Sequence, residues 1–112
     1  MERPNADLKR GTLELLLLSI LDGRPRHGYE IGKRLEEQSG GQVAFRASTL
    51  YSILYRMEHR GWIKGRWVEK PGKRRRCFYG LTAAGRAVLA RQREEWRAFA
   101  RMVSEVSGTG HA

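Results

Sequence analysis

Apolar residues recur every three or four positions through much of this 112-residue chain, which is the period of amphipathic helices. The pattern predicts a first helix over about residues 7–22, and its second half is apolar on nearly every side. A helix of that kind is buried on more than one face, so part of its surface is expected to be covered by another chain. Gly23 and Pro25 end this helix, because proline disfavours helical geometry at the residue before it.

Two further helices follow. One starts after His27-Gly28, places Ile31 and Leu35 on its buried face, and ends at residues 39–41, Ser-Gly-Gly. The next begins near residues 46–48 and stops at Gly61. Its predicted core positions are spaced i, i+3, i+4 and i+7: Leu50, Ile53, Leu54 and Met57.

A short β-hairpin is predicted after the third helix. Residues 62–69 and 77–81 mix β-branched and aromatic residues with charge, and a Pro71-Gly72 turn separates them. A helix followed by a basic hairpin is the order found in a winged helix-turn-helix. We therefore predict a mainly α fold with a small β-hairpin, in which residues 7–81 form the winged helix-turn-helix domain.

Thr82 is the predicted N-cap of a last helix running to about Val106. Residues 82–107 form a C-terminal dimerisation helix in this interpretation, and residues 1–6 and 108–112 are flexible tails. At ~1.5 Å per residue the helix is about 37 Å long, more than so small a domain can cover. Its stripe comprises Gly85, Leu89, Trp96, Phe99, Val103 and Val106, and Gln92 interrupts it. We expect a homodimer through the first and last helices, with Leu13, Leu17 and Ile20 facing the same space.

Composition excludes several classes of protein. The longest apolar run is far shorter than the ~20 residues that span a bilayer, and no secretory signal precedes it, so we expect a cytoplasmic protein without membrane contact. Cys77, the single cysteine, cannot form an intrachain disulfide or a cysteine-rich zinc site. The three histidines have no metal-ligand spacing. We predict no catalytic residues, no metal and no cofactor.

Positive charge is concentrated around the hairpin. The chain has a formal net charge of +10, and residues 60–76 hold eight Lys or Arg against one acid, Glu69, a formal charge of +7. Localised positive charge of this kind is typical of a surface that binds a polyanion. A charge run is also common on a solvated face, and the preceding helix is what favours nucleic acid here.

Four segments resemble one family. The stretches are Arg10–Leu21 (RGTLELLLLSIL), His27–Ile31 (HGYEI), Ser48–Tyr51 (STLY) and Arg74–Thr82 (RRRCFYGLT). Their order and spacing over roughly residues 8–103 are similar to those of the PadR family of bacterial transcription regulators, in its compact branch with one short C-terminal helix. The chain departs from the family at Ser52, where proline is common, and at Arg46, where a small capping residue is common. The resemblance implies a homodimeric repressor, and some relatives release DNA when a small planar or phenolic ligand binds.

The third helix is the predicted recognition helix. If it lies in the major groove of an inverted-repeat operator in double-stranded DNA, its outward side chains reach base edges or phosphates. The candidates are Ser48, Thr49, Ser52 and Arg56. Tyr51 either donates to a phosphate or covers the edge of the core.

The wing supplies a second set of candidate DNA contacts. These are Lys73, Arg74, Arg75 and Arg76. Strand alternation would send Arg74 and Arg76 to one side of the wing and Arg75 to the other.

Several alternatives stay open at this point. Trp96 and Phe99 are interpreted as dimer packing, or as contacts to a flat aromatic ligand between subunits. Cys77 is interpreted as a buried inert thiol rather than a sensor. A basic RNA-binding or structural nucleic-acid-binding protein would share the charge distribution, and a winged helix used only for protein contacts would bind no DNA. RNA competition and salt-dependent DNA binding separate these hypotheses.

Overall fold

A computed structural model describes residues 6–110 and contains four α-helices and three short strands within them. The predicted helices and hairpin are confirmed, with ends that shift by one or two residues. In chain order the elements are α1 Ala6–Leu21, β1 Arg26–His27, α2 Gly28–Gln38, α3 Ala47–His59, β2 Ile63–Val68, β3 Arg76–Leu81 and α4 Ala83–Ser107. Within the same residues, no helix combines the length and apolarity needed to cross a membrane.

The strands form one antiparallel sheet in the order β1-β3-β2. β2 pairs with β3 from Ile63 opposite Leu81 to Val68 opposite Arg76. The prediction of a two-stranded wing was incomplete, because β1 adds a third strand through Arg26 opposite Tyr79 and His27 opposite Phe78. Two residues are too few to show the alternation of a strand, so only the partner strand reveals β1.

One hydrophobic core joins the helices to the base of the wing. The predicted core positions of α3 are buried, as are Leu17 and Leu18 of α1 and Ile31 of α2. Glu14 is also buried and accepts a hydrogen bond from Arg60 Nη1 at 2.8 Å, which ties α1 to the residue after α3. The C-terminal end of α3 is thereby attached to α1 by this ion pair, in addition to its packing in the core.

The start of α4 is fixed by Thr82, as predicted. Its Oγ1 accepts from the N–H of Gly85 at 3.0 Å and donates to the carbonyl of Gly61 at 2.6 Å. Gly85 lies so close to the backbone of Trp62 that a Cβ on it would overlap the carbonyl oxygen. α4 therefore begins in direct contact with the turn between α3 and β2.

α4 then runs beyond the domain, and the described residues extend over 57 × 29 × 28 Å. Its C-cap is Gly108, at a φ of 73°, so this residue, predicted to be in a flexible tail, caps the helix. Ala6, also predicted to be in a tail, is the first residue of α1, and Thr109 and Gly110 follow the cap outside the helix. Residues 1–5 and 111–112 of the predicted tails lie outside the described part of the chain. Along the outer half of α4, large apolar side chains are exposed: Trp96, Phe99, Met102, Val103 and Val106.

Three residues assigned to the dimer interface are buried within the single chain. Leu17, Ile20 and Leu89 keep 0%, 6% and 3% of their surface exposed, and all three belong to the core. Within the described chain these residues therefore contribute to the core, and the apolar surface that stays exposed lies on the outer half of α4. Leu13 is half-buried and packs on the edge of the same core.

Candidate nucleic-acid interface

The outward face of α3 is open to solvent. Ser48, Thr49, Ser52 and Arg56 are exposed, and Tyr55 stacks on His59 with ring centroids 6.4 Å apart. Arg56, the one charged residue among the four predicted contacts, makes no ion pair with any residue in 11–110. The face is therefore available to a ligand, as a base-reading helix requires.

The N-terminus of α3 carries unsatisfied backbone donors. Arg46 is the N-cap with extended geometry and makes no side-chain capping bond, and the helical ladder starts with the N–H of Leu50 donating to the carbonyl of Arg46 at 3.0 Å. The N–H groups of residues 47–49 have no helical partner, and the first turn holds no acidic residue. Free donors and the positive end of the helix dipole favour a phosphate there.

Tyr51 is placed so that it could serve both roles considered from the sequence, covering the edge of the core and contacting a phosphate. Its phenol packs directly on Gly28, where an added Cβ would overlap the hydroxyl oxygen, yet 47% of the residue stays exposed. The ring thus covers the contact between α2 and α3 while its edge remains on the surface. Any side chain at residue 28 would displace the phenol from this position.

The wing tip is a tight turn. The N–H of Lys73 donates to the carbonyl of Lys70 at 3.0 Å, and Gly72 has a φ of 73°, the arrangement that a Pro-Gly pair favours. Arg74 and Arg75 lie in the turn segment before β3 begins at Arg76. The predicted alternation of these arginines was therefore wrong, because alternation governs only residues inside a strand.

The wing arginines have different surroundings. The guanidinium of Arg75 lies 4.5 Å from the ring centroid of Trp67, and its Nε lies 3.3 Å from Glu69 Oε1. Arg76 Nη1 lies 2.9 Å from Nε2 of His27. Lys73 and Arg74 make no ion pair with any residue in 11–110. Arg74 is thus the wing arginine with the fewest competing contacts.

A groove of about 540 Å³ separates the wing from the helices. It brings together predicted site residues from distant parts of the sequence, since Tyr51 of α3 faces the three arginines of the wing across it. Sequence reasoning missed the other residues that line it, although two of them belong to the HGYEI segment. These additional lining residues are His27, Tyr29, Trp67, Cys77 and Tyr79. The remaining α3 candidates lie outside the groove.

Side-chain contacts hold the wing in place against the helices. Glu58, on α3, accepts a hydrogen bond from the N–H of Gly65 in β2 at 2.9 Å. At the other edge of the sheet, Glu30 accepts from Arg26 at 2.6 Å and from Arg24 at 2.5 Å. Burial acts to raise the pKa of Glu30, but the two guanidinium groups outweigh it and hold that pKa below its usual value.

Arg26 itself is buried and links β1 to α1. Its Nε donates to the carbonyl of Ile20 at 3.0 Å, and 8% of the residue is exposed. A buried guanidinium requires partners for its donors, and Ile20 and Glu30 supply them. Arg26 is therefore a structural cation and not part of the exposed positive surface.

The thiol of Cys77 is half-buried in β3. It lies against Gly65 across the sheet and near Tyr79, whose pKa is raised by burial and by the neighbouring Cys77. In the part of the chain that the structure describes, no three His, Cys, Asp or Glu side chains are grouped to hold a metal ion.

A second surface lies between α1 and α4. A cavity of about 290 Å³ is lined there by Leu15 of α1 and by Gln92, Trp96 and Phe99 of α4. The two aromatic rings contact each other with centroids 5.8 Å apart. Gln92 Oε1 is buried and has no hydrogen-bond partner within the described chain. Leu13, Leu17 and Ile20 of α1, which were predicted to face the space beside Trp96, do not line this cavity.

The helix arrangement, the exposed third helix and the basic hairpin define a winged helix-turn-helix protein. A family model, described as the transcriptional regulator PadR-like family, matches residues 17–91. The chain belongs to this family of transcriptional regulators, as the sequence motifs predicted.

Solved structures agree with this membership. A transcriptional regulator from Clostridium thermocellum is 28% identical, with a TM-score of 0.78 over 92% of this chain and 97% of that one. A PadR family transcriptional regulator from Eggerthella lenta is 31% identical, with a TM-score of 0.76 over 93% of this chain and 88% of that one. An uncharacterised protein from Lysinibacillus sphaericus is 26% identical over 91 residues, which cover 81% of this chain and 84% of the relative.

Proposed function

We propose that this protein is a homodimeric repressor that binds an inverted repeat in double-stranded DNA and is released by a small planar or phenolic ligand. The observation that carries the proposal is the exposed outward face of α3 together with a basic wing, whose arginines face Tyr51 of α3 across a groove. Its candidate contacts are Ser48, Thr49, Tyr51, Ser52, Arg56, Lys73, Arg74, Arg75 and Arg76. A DNA-binding regulator of this family acts in the cytoplasm, where its operator lies.

The two parts of this surface have different roles. The wing cations contact phosphates and supply affinity that depends on salt but not on base sequence. The short polar side chains of α3 contact base edges, and Arg56 is the one long bidentate donor among them for a guanine. Specificity therefore depends on few groups per subunit, and a second subunit is needed to lengthen the site.

The exposed stripe on α4 supports a dimer. Trp96, Phe99 and Val103 leave 40–47% of their surface exposed, and Val106 leaves 81%. An apolar stripe on a projecting helix is stabilised when a second copy covers it. Pairing through α4 would place two recognition helices about one turn of DNA, or ~34 Å, apart.

The cavity beside Trp96 supports ligand control. It adjoins the proposed dimer contact, so a flat aromatic molecule bound there would touch the helix that sets the angle between subunits. Such a ligand weakens DNA binding only as far as it prefers the non-binding arrangement.

Binding-site selection from a random duplex library tests the proposal. We expect an enriched inverted repeat, two chains per duplex by sedimentation, and retention of the complex in excess unstructured or double-stranded RNA. The alternative of a general RNA-binding or structural nucleic-acid protein predicts equal competition by RNA and no enriched sequence. Either of those results, or a complex with one chain per site, would contradict the proposal.

A further inference from the structure

His27 occupies the junction of three elements. It is the last residue of β1, it occupies the N-cap position of α2, and its ring meets Phe78 of β3 edge-on with centroids 5.3 Å apart. Both ring nitrogens are approached by N–H groups. The backbone N–H of Glu30 lies 3.3 Å from Nδ1, and Nη1 of Arg76 lies 2.9 Å from Nε2.

The two contacts cannot both be hydrogen bonds. A guanidinium and a backbone N–H only donate, whereas a neutral imidazole has one acceptor nitrogen and a protonated one has none. Burial and the charge of Arg76 lower the pKa of His27, although the charge of Glu30 acts to raise it. The lowered pKa favours the neutral ring. In the free protein the ring must therefore accept from either α2 or the wing and leave the other donor unsatisfied.

The shorter contact identifies the acceptor. The 2.9 Å approach of Arg76 brings a charged donor, and charge-assisted hydrogen bonds are roughly twice as strong as neutral ones. Nε2 thus accepts from Arg76, the proton lies on Nδ1, and the N–H of Glu30 lacks its cap.

An anionic oxygen beside Nε2 would remove this conflict. With the proton on Nε2, both His27 and Arg76 would donate to that oxygen, while Nδ1 would accept from Glu30 and cap α2. The pair lies between the 540 Å³ groove and a second groove of about 490 Å³ on the other side of the wing. Lys70, Lys73 and Arg74 also line the second groove, so the surroundings favour an anion.

We propose that His27 and Arg76 together bind one phosphate oxygen of the DNA backbone, and that binding transfers the imidazole proton from Nδ1 to Nε2. The proton leaves Nδ1 to water and another is taken up at Nε2, so no net proton is exchanged. This inference rests on the proposed DNA-binding function and adds His27 to its phosphate contacts. It also links wing contact to capping of α2.

Side-chain nitrogen NMR of the full chain reads the tautomer directly. In the free protein we expect Nε2 to show the shift of an unprotonated nitrogen. After addition of the selected duplex, we expect Nδ1 to show the chemical shift of the unprotonated nitrogen instead. A ring that already carries its proton on Nε2 without DNA, keeps it on Nδ1 with DNA, or carries two protons in the complex would overturn the proposal.

The variants His27→Asn and Arg76→Ala give an independent measurement. Asparagine is a good N-cap but is too short to replace Nε2, so we expect His27→Asn to fold and to lose at least about tenfold in duplex affinity. Its salt slope should stay close to wild type, because a neutral imidazole releases no counterion, whereas Arg76→Ala should flatten the slope.

A matched control is His59→Asn, at the exposed histidine near the end of α3, which should leave the tautomer of His27 unchanged. This inference alone would be contradicted if His27→Asn bound DNA with wild-type affinity and the His27 tautomer of the wild-type protein did not change in the complex. Failure of the wild-type protein to bind any duplex would instead contradict the proposed function.

Discussion

Arg74 and Arg76 of the wing have no ion-pair partner among residues 11–110, and Arg76 contacts His27. Replacing Arg74 with alanine therefore removes a wing charge without breaking an ion pair or the contact with His27. Arg75 carries the same charge one position later, but it already contacts Glu69 at 3.3 Å and Trp67 at 4.5 Å. Loss of Arg75 therefore releases Glu69 and exposes the indole, while loss of Arg74 changes only the positive surface. We expect Arg74→Ala to weaken DNA binding more than Arg75→Ala.

The magnitude follows from counterion release. Each phosphate contact contributes about 0.9 to the slope of log affinity against log salt, so the loss of one contact per subunit reduces a dimer's slope by about 1.8. Over a rise from about 50 to about 200 mM salt, that is roughly a tenfold smaller loss of affinity than in the wild type. For Arg75 we expect about half this change, because its ion pair with Glu69 competes with the phosphate. An exposed pair of this kind contributes only about 0–1 kcal/mol.

Fluorescence anisotropy with the selected operator measures both slopes. Arg97→Ala is the matched control, since it removes the same charge from exposed α4, where Arg97 lies 3.4 Å from Glu94 and far along the chain from the wing. We expect its slope to match wild type. Equal slopes for Arg74→Ala and wild type would refute the assignment of the wing to phosphate contact, and a steeper effect from Arg75→Ala would refute the argument from ion pairing.

Three further predictions concern stability and assembly. Gly85→Ala should destabilise the fold by about 2 kcal/mol in urea denaturation, because overlap with the Trp62 carbonyl outweighs the better helix propensity of alanine; an unchanged midpoint would contradict this packing. Val106→Asp should weaken the dimer at least about tenfold in sedimentation equilibrium, because a carboxylate would have to be buried there, and a wild-type dimer would place the interface elsewhere. Since the folded pKa of Glu30 is lowered, its stabilisation is present above the unfolded pKa and lost as pH falls through the folded pKa. Acid titration should therefore show a smaller loss of stability between about pH 5 and pH 3 in Glu30→Gln than in wild type, and identical curves would contradict the network with Arg26.

Much of the fold was predictable because it depends on local patterns. The core face of α3 follows from the spacing of Leu50, Ile53, Leu54 and Met57, and Thr82 was identifiable as an N-cap from its position before an apolar stripe. The errors came from contacts that are distant in sequence. β1 exists only because β3 pairs with it, and no periodicity can appear in two residues.

Periodicity also identified apolar faces without identifying their partners. Leu17 and Leu89 have the same pattern as Trp96 and Phe99, yet the first pair is buried in the core and the second is nearly half exposed. Helical spacing specifies that a face is apolar. Whether such a face is buried within the chain depends on the packing of the helices. The first turns of α4 pack in the core, whereas its outer half extends beyond it.

The sequence by itself determined the four helices, the basic hairpin, the family and the set of candidate DNA contacts, because these depend on residue type, spacing and local charge. Only the tertiary structure decided which of these residues meet. It placed Tyr51 across a groove from the wing arginines, paired Arg75 with Trp67, and brought Arg76 to His27, 49 positions earlier in the chain. The physical reason is that hydrogen bonds and ring contacts act over a few ångströms in space. Residues far apart in the sequence meet only after the chain has folded, so their separation along the chain does not predict these contacts.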